Sequence, residues 1–200
     1  MTKERALAFS DGVIAILITI LVLELKIPHG SDLAALAPIL PVFLVYVLSF
    51  VGLGIYWNNH HHMFHVVHRI NGQILWANLH LLFWLSLFPF ITGWMGENLF
   101  STVPTLLYGV VLLMAGIAYY VLQRVIIASQ GSNSLLARAI GNDVKGKLSP
   151  ILYATAILVS LFESWIAHVI YVCVALIWLV PDRRIERTLA TGSTERSAQT

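Results

Sequence analysis

The sequence predicts an all-α fold, a bundle of six transmembrane helices, on three observations. Of its 200 residues 58% are hydrophobic and 11% charged, with a mean hydropathy of +0.80. A soluble domain carries about a quarter charged residues. Apolar stretches of roughly 20 residues, the length a helix needs to cross a bilayer, recur along the chain between breaks marked by Pro, Gly and charge. The third observation is where the positive charges fall. A six-span reading places every Lys and Arg except Lys26 on the side of the N-terminus. A five-span reading moves the four tail arginines (Arg183, Arg184, Arg187 and Arg196) across and erases that asymmetry, so the positive-inside rule selects six spans with both termini cytoplasmic.

The spans fall at 7–27, 38–64, 73–95, 103–127, 148–163 and 165–181. The first is closed by Pro28 and Gly30; with Asp11 near its start and Glu24 and Lys26 near its end, it reads as a retained span rather than a signal peptide. The second starts behind Pro38 and Pro41 and runs into a histidine cluster. In the third, Ile74 to Trp94, the polar interruptions are Asn78, His80 and Ser86, with Pro89 near the far end. The fourth starts behind Pro104 and leaves the membrane near Gln123 and Arg124. The apolar block Ser149 to Val180 is too long for one span; Glu163-Ser164-Trp165 divides it as a tight hairpin, with Trp165 an interfacial anchor. Residues 1–188 form one six-span unit. A polar loop runs from Gly131 to Gly146, and residues 189–200, rich in Thr, Ser, Gln and Glu, read as a disordered cytoplasmic tail.

Several functions are excluded at this level. Cys173 is the single cysteine, which rules out a disulfide framework and a thiolate metal site. No nucleophile–base–carboxylate arrangement, phosphate loop or nucleic-acid patch is visible, so the chain is not read as an enzyme or as a nucleic-acid binder. Five of the eight histidines crowd into His60 to His68, and His61, His65 and His68 share one helical face. A closed metal site wants four ligands, and no carboxylate or cysteine accompanies them. The cluster reads as the interfacial end of a long helix, without metal or cofactor. His80 and His168 read as satisfied core histidines, and Glu163 as part of the hairpin turn.

The first span carries more polarity than a plain anchor needs, and an intramembrane charge is a functional-site hypothesis by default. At 100° per residue, with Ile16 as zero, Leu23 falls at about −20°, Ile20 at about +40°, Gly12 at about −40° and Thr19 at about −60°. These make one narrow stripe. Asp11 falls at about −140° and must face neighbouring helices, where its carboxyl needs donors. Arg5, His60 and Asn78 lie at a comparable depth. Taken alone, such a stripe on a membrane helix more commonly faces lipid or packs in the core, and the Thr19 hydroxyl can satisfy itself on the carbonyl of Ala15.

Arg5, Phe9-Ser10-Asp11-Gly12, Ala15-Ile16, Thr19 and Leu23-Glu24 resemble the signature of the lysosomal-type potassium channels of the transmembrane protein 175 family. Trp57-x-x-His60, Asn78-Leu79 and Pro89-Phe90 agree with it. The resemblance covers nearly all six spans and is similar to the single-unit prokaryotic members. It implies a homotetramer in a prokaryotic plasma membrane, with the pore lined by the first helix and no P-loop filter. Ile16 would then form the hydrophobic constriction, with Ile20 and Leu23 as further rings and the Thr19 hydroxyls near the ion path. Arg5, Ser10, Asp11, His60 and Asn78 would form the structural polar network, and Glu24 a ring at the outer mouth. Monovalent cations, K+ held in passing in the pore, are the implied partners. The competing reading is a proton-coupled or divalent-metal transporter that uses Asp11 and the histidines.

Overall fold

The structure, a computed structural model, describes residues 2–67, 69–131, 134, 136–137 and 143–179. Among them the chain is all-helical. Helix α1 is Lys3–Ile20, continued by a 3-10 turn at Leu21–Glu24. A second 3-10 turn, Leu33–Ile39, leads into α2, Leu40–His65. Next come α3 (Gly72–Ser86), α4 (Phe88–Glu97), α5 (Thr102–Gln130), α6 (Val144–Ser160) and α7 (Ser164–Leu179).

The boundaries have local causes. The Thr2 hydroxyl accepts from the Arg5 amide at 3.4 Å, Asn71 from Ile74 at 2.9 Å, and Asp143 from Gly146 at 2.8 Å. Each satisfies an amide that the first helical turn leaves unpaired. Pro41 and Pro89 sit in the first turns of α2 and α4, where a missing N–H costs nothing. The predicted third span is therefore two helices, α3 and α4, meeting at Leu87, because a proline two residues on cannot continue the α3 ladder. The predicted hairpin is present as a short turn, Leu161 to Glu163, between α6 and α7. Among the described residues four stretches are long and apolar enough to cross a membrane (Lys3–Glu24, Leu33–His65, Gly72–Glu97 and Thr102–Gln130), and the shorter α6 and α7 form the closing pair. The chain is an integral multi-pass membrane protein. The expected tail at 189–200 and His68 lie outside the described residues.

The core sits between α3, α4, α5 and the hairpin of α6 and α7, around Leu81, Phe88, Tyr108 and Tyr171. Buried hydroxyls tie it together. Ser49 of α2 bonds Thr92 of α4 at 2.6 Å and Tyr108 of α5 at 3.0 Å, and Tyr171 of α7 donates to the Thr105 carbonyl of α5 at 3.1 Å. By contrast α1 and α2 are peripheral: only 28% and 17% of their apolar windows are buried by their own chain, against 50% for α3–α4. Helices α2 and α4 approach backbone to backbone at Gly96, where an added Cβ would lie 2.5 Å from the Val42 Cα. Gly96→Ala is expected to push the two helices apart and cost about 1–3 kcal/mol, read as a lowered melting temperature in detergent. An unchanged melting temperature would show that the contact is slack.

Candidate functional site

Helix α1 has two unlike faces. Ala6, Ser10, Ile14, Leu17 and Leu21, spaced by three and four, are buried against the rest of the chain. The opposite edge is open: Ile16 is 57% exposed and Leu23 75%, with Gly12, Thr19 and Ile20 beside them. This edge is the stripe read from the sequence. The 3-10 turn refines it, because at three residues per turn Leu23 eclipses Ile20 rather than drifting past it. The Thr19 hydroxyl donates to the carbonyl of Ile16 at 2.8 Å, not to Ala15. Its hydrogen is thereby committed to the backbone, and the oxygen lone pairs remain on the open edge.

Behind the edge, three helices are joined by one buried relay. Ser10 donates to the Ala6 carbonyl at 3.0 Å. Asn78 of α3 donates its amide to Ser10 Oγ at 2.8 Å, so its Oδ1 accepts from Nε2–H of His60 on α2, also at 2.8 Å. These directions fix the histidine tautomer and leave His60 Nδ1 a buried acceptor without a partner among the described residues. Ser10 and His60 have no exposure and Asn78 only 3%. The relay therefore works in a medium where a lost partner is costly.

Asp11 points sideways, as its angle requires, but its donor is Trp57, whose indole N–H reaches Oδ1 at 3.0 Å. Neither His60 nor Asn78 bonds it. Trp57 is a donor that the helical angles alone do not single out, although it lies one turn before His60 on the same side of α2. The Arg5 side chain is exposed and takes no part in the relay within one chain.

At the far end of α1 the Glu24 carboxylate lies against Gly93 of α4, and an added Cβ there would collide with it. Lys26 pairs with Glu97 at 2.7 Å rather than with Glu24. The Glu97 carboxylate holds the Lys26 ammonium pKa above its ordinary value, although both groups are so exposed that solvent screens the pair. This end thus carries two carboxylates and one ammonium. Of the other histidines, His168 is half-buried and hydrogen-bonded to Thr105 at 3.1 Å, as expected of a satisfied histidine. His80 is not a core residue: it is exposed, and accepts from the Trp84 indole one turn on at 3.0 Å. No group of three potential metal ligands occurs among the described residues.

Comparison with known proteins gives a consistent result. The sequence profile of the endosomal/lysosomal potassium channel TMEM175 matches residues 5–89, which hold the open edge and the relay. A protein of Chryseobacterium sp. (strain P1-3) named as a potassium channel is 56% identical over 94% of this chain and 98% of its own length. The human endosomal/lysosomal proton channel TMEM175 is 38% identical over 96 residues, 42% of this chain but 19% of the human protein. The crystal structure of a lysosomal potassium-selective channel TMEM175 homologue from Chamaesiphon minutus superposes with a TM-score of 0.77 at 28% identity, covering 90% of this chain and 97% of that one.

Proposed function

The chain belongs to the TMEM175 family of ion channels, and from that premise we propose that it is a potassium-preferring cation channel that conducts passively through a pore lined by α1 of four copies. The observation that carries the reading is the two-faced first helix: an edge with Ile16, Ile20 and Leu23 left open while Ile14, Leu17 and Leu21 are sealed inside the chain. Four such edges around an axis make rings of branched apolar side chains. Rings of this kind exclude water when narrow and conduct when the helices splay slightly. Ile16 is the narrowest ring. The outward lone pairs of Thr19 offer a passing ion one partial replacement for its hydration shell.

No strong coordinating cage is built from these residues, so preference for potassium rests mainly on the lower cost of stripping water from the larger ion. Glu24, backed onto Gly93, and Glu97, partly offset by Lys26, leave a surplus of negative charge at the outer end, which concentrates cations there. The relay of Ser10, Asn78 and His60, with the Asp11–Trp57 bond beside it, holds α1 in the rotation that the pore needs. The protein sits in a prokaryotic plasma membrane with both termini inside.

Reconstituted in liposomes, the protein is expected to pass K+ down its gradient, Na+ more slowly, and to need no proton gradient. Flux that stops when the proton gradient is collapsed would instead identify a coupled carrier.

A further inference from the structure

A second concave feature lies away from α1, in a cavity of about 70 Å³ enclosed by α2, α5, α6 and α7. Tyr56, Tyr119, Tyr153 and Trp178 supply aromatic walls, and Tyr56 and Tyr119 meet edge-on at 6.1 Å. Gln123 and Asp143 line it as well. Three of the phenols that line the cavity are bonded to protein, Tyr108 to Ser49, Tyr119 to the Asn59 carbonyl and Tyr171 to the Thr105 carbonyl. Other polar side chains of the same lining are not. Tyr153 and Gln123 are 8% and 7% exposed, yet neither the Tyr153 hydroxyl nor the Gln123 amide has a hydrogen-bond partner among the described residues; the hydroxyl of the half-buried Tyr56 has none either. Buried polar groups are nearly always bonded. On the wall of one cavity, two nearly buried side chains whose polar atoms keep accessible area and lack protein partners mark a place where a guest can supply them.

The charge of the lining narrows the class of guest. Asp143 gives one oxygen to the Gly146 amide as a helix cap, and it is the one charged side chain among the described residues that line the cavity. An anion is therefore disfavoured. The aromatic walls hold a weakly hydrated organic cation better than a strongly hydrated metal ion. A primary ammonium also brings N–H donors for phenol and carboxamide oxygens, while its carbon chain lies along Leu48, Ile55 and Leu112. We propose that this cavity is a binding site for a small organic ammonium with an apolar body, separate from the conduction surface of α1.

The test is binding to the full chain in detergent micelles, with no ion gradient, so its outcome is independent of whether the protein conducts. Ligand-observed NMR with n-butylammonium should give a dissociation constant of about 1 mM. 1-Butanol should bind about tenfold more weakly and butyrate not at all. Asp143→Asn keeps a good cap residue and removes the charge. It should weaken butylammonium about tenfold and leave butanol unchanged, a split that mere loosening of the fold would not produce. At Gly116 an added Cβ meets nothing nearer than the Tyr56 hydroxyl at 3.8 Å, so Gly116→Leu can fill the cavity and should abolish binding. Equal binding of the three probes, or full ammonium binding in either variant, overturns the proposal.

Discussion

Ile16→Asn is expected to raise single-channel conductance several-fold and to pull the potassium-to-sodium permeability ratio toward one. In the proposed pore, four apolar side chains at the narrowest ring would hold water out because their surface gives it no hydrogen bonds. Four carboxamides at the same place wet the constriction and offer oxygen ligands to either ion. Lowering the barrier by roughly 1–2 kcal/mol corresponds to a conductance gain of roughly 5- to 30-fold. The selectivity should fall in the same step, since on the proposed mechanism it rests on the cost of dehydration. The side chain is 57% exposed in its own chain, so the exchange leaves the packing of α1 intact. Planar-bilayer recordings of wild type and variant side by side check this. Currents identical in size and reversal potential would place the constriction elsewhere, and the proposed pore with it.

The second large effect is structural: Asn78→Leu should cost about 2–4 kcal/mol of stability and reduce the yield of assembled protein. Asn78 joins three helices through two bonds of 2.8 Å in a fully buried setting. Without it Ser10 retains the Ala6 carbonyl, but the His60 ring has no partner on either nitrogen. Asp11→Ala removes a single bond to Trp57, which is itself 44% exposed, so its cost should be nearer 1 kcal/mol. Melting temperatures in detergent give the ranking, and size-exclusion profiles give the assembly. Should Asp11→Ala prove the more damaging change, the buried relay is not what fixes α1.

The rotation of α1 is legible in the sequence, because a helix has one period and the residues on it differ sharply. Ile16, Ile20 and Leu23 share an angle with Thr19 and Gly12, and Asp11 does not. That angle gives the direction of Asp11 but not the identity of its donor. Trp57 is 46 residues away, and which side chain of α2 meets Asp11 depends on how far the two helices slide along each other. His60 and Asn78 do meet, as expected of polar residues at one depth in an apolar bundle. The eclipsing of Leu23 over Ile20 is hidden, since a tightened last turn is set by the segment beyond a helix rather than by its own periodicity. The apolar sequence neighbours of His80 suggest burial and mislead; Trp84, one turn on, is the available hint of a surface pair.

The shallow seating of α1 and α2 has a thermodynamic consequence. In the proposed tetramer, helices that leave most of their apolar length uncovered by their own chain would take part of their support from neighbouring copies, so their stability would include an association constant. Mass action then enters every measurement: dilution of the protein in lipid should lower its apparent melting temperature, and a single value quoted without the protein-to-lipid ratio describes the mixture and not the fold.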